Sequence, residues 1–170
     1  MKRLALLLSV ALAPAFASAQ GRTENLVSEH GAWSVYTETD PRECFAVSAA
    51  LDGPLPGSRI APGLLVAIWP DRGGLPEFSF TTEGPGIVAG VRLVLDDLMT
   101  WPMMPEGNWA WPDSAAADAA IAAMMPMAGS VMVAGQLTTG KGFQARFSLD
   151  GYVAALAQAR QLCGENIKSG

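Results

Sequence analysis

Side chains for acid–base, metal and thiol chemistry are scarce in this chain. Of 170 residues, one is histidine and two are cysteine. A Ser-His-Asp arrangement needs its histidine held by a carboxylate, and a zinc site needs several nitrogen or sulfur ligands. The lone His30 is therefore read as an exposed structural residue. Cys44 and Cys163 lie far apart and form no Cys-x-x-Cys redox motif. Gly140-Lys-Gly142 is too short for a phosphate loop. Basic residues are outnumbered, 11 against 16 acidic, and form no cluster, which argues against nucleic acid or an anionic membrane surface as a partner. Charged residues make up only 16% of the chain and hydrophobic ones 50%, a composition that suits a packed core and argues against disorder. There is no internal repeat, and no βαβ order of the kind a nucleotide-binding sheet needs. Nothing here is a specific catalytic motif. No enzymatic activity, no cofactor and no metal site is expected.

Long apolar runs are missing too, except at the start. Lys2-Arg3 precede an apolar stretch from Leu4 to Leu12, broken by Ser9 and followed by Pro14 and Ala17-Ser18-Ala19. A basic end, a short apolar core and a small-x-small site make residues 1–19 a signal peptide, with the mature chain starting at Gln20. No cysteine follows the cleavage site, so no lipid anchor is expected, and no later stretch has the length of a transmembrane helix. The product is expected in the periplasm or secreted. Setting Lys2 and Arg3 aside leaves nine basic residues against 16 acidic ones, a formal charge of −7. The remaining chain, roughly 150 residues, suffices for one domain with a core. Two cysteines in an exported chain point to one disulfide, Cys44 to Cys163, with a metal or reactive thiol site as the alternative.

Polar residues 20–30 read as a flexible N-terminal arm, 31–164 as a single domain and 165–170 as a tail. Gly31 to Thr37 alternates as a half-buried strand, with Trp33 and Val35 inward, and Cys44 to Val47 returns from a turn at Asp40-Pro41. Leu51 to Gly63 is a loop rich in Pro and Gly. Gly63 to Trp69 is a continuous apolar run stopped by Pro70, read as a central strand. Glu77 to Thr82 alternates again. Ile87 to Leu95 is the longest predicted strand, with Ile87, Ala89, Val91, Leu93 and Leu95 on one side and Gly90 as a bulge or close approach. Trp101 to Pro112 is expected to be irregular, because three prolines and a glycine oppose long ladders. Asp113-Ser114 caps an alanine-rich helix over about 115–125 that Pro126 ends. Gly129 to Thr138 and Phe143 to Phe147 are strands around a hairpin loop. A last helix, about 149–163, is capped by Ser148 or Asp150 and has Gly164 at its C′ position. It presents Tyr152, Leu156, Ala159 and Cys163 on one face. Short strands, Gly- and Pro-rich turns and two minor helices make a mainly antiparallel β sandwich or barrel.

Three features bear on function. Six methionines fall at Met99, Met103, Met104, Met124, Met125 and Met127; thioethers suit Cu(I), although methionine also fills gaps in cores, and packing is the preferred reading. Trp69, Trp101 and Trp111 each precede proline, which extends the backbone and makes a cis bond more accessible. With Trp109, the last two could line a groove for a sugar or peptide, or seal one end of a sandwich. Asp96-Asp97 is read as a strand-end turn, since adjacent strand residues point to opposite faces.

Gly31-Ala-Trp33-Ser-Val35, Cys44-Phe-Ala-Val47, Gly140, Phe147-Ser-Leu-Asp-Gly-Tyr-Val-Ala-Ala-Leu156 and Cys163 together resemble the invasion-associated locus B family. The resemblance runs from about Trp33 to Cys163, is most specific at Ser148-Leu-Asp-Gly151 and weakest from Met99 to Trp111. Many members carry a further cysteine near the position of Tyr36; its absence leaves Cys44 and Cys163 as the intramolecular pair. The resemblance implies an exported envelope protein of alphaproteobacteria with an immunoglobulin-like β-sandwich, no catalytic residues, and another envelope or surface protein as partner. Its contact surface is expected on Trp101, Met103, Met104, Trp109 and Trp111. The alternative is a periplasmic Cu(I) or small-ligand binder using the same segment.

Overall fold

Alternation of apolar and polar residues builds the first layer. The computed structural model describes residues 25–88 and 90–164; the expected signal peptide, the first part of the expected arm, the inward placement of Ala89 and the 165–170 tail lie outside these residues. Five strands open the fold as a meander: β1 (Leu26–His30), β2 (Trp33–Thr39), β3 (Arg42–Ala49), β4 (Gly63–Ile68) and β5 (Pro76–Thr81). Trp33 and Val35 are fully buried, as are Ala46 of β3, Leu64 and Val66 of β4, and Phe80 of β5. β1 corrects the expected arm. Leu26 pairs with Tyr36 and His30 with Trp33, while Ser28 and His30 both bond Gln158 Oε1. Polar side chains that face inward onto a polar partner hid this strand from a hydrophobicity pattern.

The second half differs more from expectation. β6 (Arg92–Leu95) is only four residues long, followed by β7 (Met99–Glu106) and β8 (Trp109–Pro112). The longer predicted strand is interrupted because Gly90 adopts φ +90, a left-handed conformation closed to most side chains. Ile87, Val91, Leu93 and Leu95 nevertheless all turn inward. Asp96 and Asp97 have φ of +51 and +57 and are the central residues of the turn between β6 and β7, where Leu98 N–H donates to Leu95 O at 3.0 Å. Trp101 to Pro112, expected to be irregular, is a hairpin. The first half of β7, Met99 to Pro102, pairs with β6, and the second, Met103 to Glu106, with β8. Each half ladders on one side, so Pro102 and Pro105 leave their missing N–H where a strand edge tolerates it. Among the described residues the cis peptide is Asp40–Pro41, and none of the Trp–Pro bonds is cis.

Helix α1 (Ala115–Met124) follows, capped by the Ser114 hydroxyl accepting from Ala117 N–H at 3.2 Å. Then come β9 (Val131–Gln136), β10 (Gly142–Phe147) and helix α2 (Tyr152–Gly164). The strands order as β1-β2-β3-β4-β5-β8-β7-β6-β9-β10. This sheet doubles over at β7, so that Phe80 of β5 stacks on Phe143 of β10 at 5.6 Å and meets Phe147 edge-on at 6.2 Å. The result is a mainly antiparallel, sandwich-like fold with two helices.

α2 closes the open part of the first layer. Tyr152, Ala155, Leu156, Ala159 and Cys163 are buried against β1–β4, and Cys163 is disulfide-bonded to Cys44 with Cα atoms 5.8 Å apart. The helix begins at Tyr152 rather than Leu149 because Gly151 is left-handed, φ +84. It includes Gly164, which was expected just beyond its end. Ser148-Leu-Asp-Gly151 is a docking turn: Ala32 N–H donates to Asp150 O at 3.0 Å, and Trp33 Nε1 donates to Ser148 O at 2.9 Å. A Cβ on Gly151 would collide with the His30 carbonyl, and one on Gly31 with the Asp150 side chain. Two glycines therefore let two backbone turns meet, more than a hundred residues apart in sequence.

Candidate functional site

The β7–β8 hairpin carries the residues singled out for contact, and its two-residue period divides them. Met103 is 3% exposed and belongs to the core. Trp101 is half-buried and packs against that core. Met104 is 61% exposed and faces Trp111 across the ladder. Trp109 is half-buried, with its ring stacked on Trp111 at 6.2 Å and 16°. Glu106, which the sequence did not single out, pairs with Trp109. Met104, Glu106, Trp109 and Trp111 therefore form one outward face, while Trp101 and Met103 point the other way.

This division also bears on copper. Adjacent residues on a strand, Met103 and Met104, aim their thioethers at opposite faces. Met125 is in the core at 1% exposure, Met124 and Met99 pack against it, and Met127 is exposed. The thioethers are spread over core and surface, and core packing accounts for most of them.

Several titratable groups elsewhere have structural partners. His30, expected to be exposed, is half-buried beside Ser28 and Gln158, and its ring bonds these two neutral side chains rather than a carboxylate. Asp118 Oδ1 accepts from Phe78 N–H at 2.7 Å; burial pushes its carboxyl up to about 6, partly offset by that hydrogen bond. Asp96 Oδ1 accepts from Gly129 N–H and Ser130 N–H at 2.9 and 2.8 Å. Asp52 holds Arg146 at 2.6 Å, and the paired guanidinium lowers its pKa. Burial raises the Tyr152 phenol; among the described residues, neither its hydroxyl nor that of Ser48 has a hydrogen-bond partner. What the surface offers is an aromatic and thioether face suited to apolar contact.

The fold is similar to that of invasion associated protein B from Bartonella henselae, known from its crystal structure, with a TM-score of 0.55 and 17% identity. The match covers 79% of this chain and 96% of that one. No family model and no curated protein matches the chain. The likeness is therefore one of fold. Among the described residues no helix is long and apolar enough to cross a membrane.

Proposed function

We propose that the chain is an exported cell-envelope protein of the invasion-associated locus B kind, acting as a non-catalytic interaction module. The observation that carries this reading is the outward face of the β7–β8 hairpin: Met104 and Trp111 at 61% and 39% exposure, with Trp109 stacked beside them. Large apolar side chains gathered on one exposed face mark contact surfaces, and tryptophan is enriched at the centres of interfaces. The fold likeness, the leader sequence and a buried disulfide all fit an oxidising compartment outside the cytoplasm. The partner would be another envelope or surface protein.

The test is capture from a crosslinked envelope extract, using the processed chain as bait. Trp109→Ala combined with Trp111→Ala should abolish capture of a defined partner, while the thermal midpoint stays within a few degrees of wild type. Trp101→Ala is the contrast: its ring packs inward, so it should lower stability and spare capture in whatever remains folded. Capture that survives the double substitution would overturn the assignment of this face.

A further inference from the structure

The outward side of β2, β3 and β4 carries a second surface. Tyr36 and Phe45 are cross-strand partners with rings stacked at 5.3 Å and 13°. Val47 and Leu65, also partners, continue the floor, and Ile60 of the long loop, 40% exposed, stands at its side. Together they shape a groove of about 530 Å³. Among the described residues, the two charged ones that line it, Glu38 and Glu83, are both acidic.

The charge at one end is out of balance. Glu38 stands directly across from Glu43, an arrangement that costs stability on a sheet, and Glu77 adds a third negative charge to the field at Glu43. Burial and then Glu38 push the Glu43 carboxyl up to about 7. Among the described residues, Arg72 opposes this at Glu43, and it is held by Glu77 at 3.2 Å and lies over Trp69 at 4.5 Å.

We propose that this groove docks an extended segment of a partner protein that combines aliphatic or aromatic side chains with lysine or arginine. The apolar side chains would lie on Tyr36, Phe45, Val47 and Leu65, and the cation between Glu38 and Glu43. The proposal rests on the interaction-module reading and gives that module a partner chemistry. A second copy of this chain is disfavoured, because a symmetric contact would bring two sets of these carboxylates together. An anionic lipid surface meets the same repulsion. The chain's own residues 20–24, Gln-Gly-Arg-Thr-Glu, offer one cation and no apolar side chain for the floor.

Two labelled decapeptides test this by fluorescence anisotropy on the processed chain: one combining Phe and Leu with two Lys, and its analogue with Glu at both Lys positions. The Lys peptide should bind at least about tenfold tighter, with a preference that shrinks as salt rises. Glu38→Lys with Glu43→Lys should reverse the preference, a result that loss of folding cannot mimic. Val47→Ser should weaken both peptides alike. Equal affinity for the two peptides, no binding of either, or an unreversed preference would overturn the proposal. So would a dimer dispersed by Val47→Lys, or tighter binding once residues 20–24 are removed, since these place a second copy or the arm in the groove. Partner capture that needs Trp109 and Trp111 but ignores Val47→Ser would sink the groove alone. A wild-type chain that captures nothing would sink the module reading itself.

Discussion

Gly151 shows how much one missing Cβ can decide. Its φ of +84 and the His30 carbonyl packed against it are two separate demands for glycine. Gly140 makes only the first: its φ is +82, and a Cβ added there would meet nothing within 4 Å among the described residues. The pair separates the two costs. Gly140→Ala should destabilise by about 1 kcal/mol, the conformational penalty alone. Gly151→Ala should cost roughly 3 kcal/mol or more, because the turns at His30-Gly31 and Asp150-Gly151 must part. Urea unfolding of both variants measures the difference, and equal losses would show that close approach contributes nothing. The sequence made the Ser148-Leu-Asp-Gly151 segment conspicuous, but not what it touches, since its contact at His30 and Gly31 lay in a stretch read as arm and strand start.

Elements were legible where pattern and burial agreed. β2, β3 and β4 follow their hydrophobic periods, and α1 starts at the Ser114 cap the sequence marks. β7 was hidden because its prolines oppose a doubly paired strand, whereas it pairs on one side at a time. Missing that strand also hid its alternation, which is why Met103 and Trp101 were grouped with outward Met104 and Trp111. Another feature of this scale is how α1 meets the sheet. β8 pairs with β5 only at Phe80 and Thr81, so the Phe78 N–H turns to Asp118 of the helix. Asp118→Ala should leave that donor without its partner and cost about 1–3 kcal/mol. Asp118→Asn keeps an acceptor oxygen and removes the charge. The wild-type carboxyl, raised from 3.8 to about 6, binds its proton more tightly folded than unfolded. Its contribution is therefore full below pH 4 and lost as pH rises through 6. The Asn variant should match wild type near pH 4 and lose less stability by pH 8. Solvent screening holds that gain to roughly 1 kcal/mol. Denaturant midpoints at the two pH values decide it.

At the scale of the whole molecule, a disulfide joins α2 to β3 while the strands between them fold over. Cysteine count and the four-three-four spacing from Tyr152 to Cys163 made the staple legible. The strand order β5-β8-β7-β6-β9-β10 was not, because it depends on a bend inside β7 that no local pattern encodes. The staple spans 119 residues, and chain-entropy reasoning gives a loop of that size up to about 5 kcal/mol. Cys44 and Cys163 are 2% and 0% exposed, so a reductant meets them only after α2 lifts from β3. Two consequences separate tether from packing. Thiol release in dithiothreitol should track the opening of α2 and slow under conditions that stabilise the fold. Cys44→Ala with Cys163→Ala should lower unfolding free energy by about 2–5 kcal/mol while keeping native far-ultraviolet circular dichroism, because Tyr152, Leu156 and Ala159 still bury the same helix face. A double variant that loses its β signal at 25 °C would mean that the core cannot hold α2 without the bond, and that the disulfide is a condition of folding rather than an added constraint.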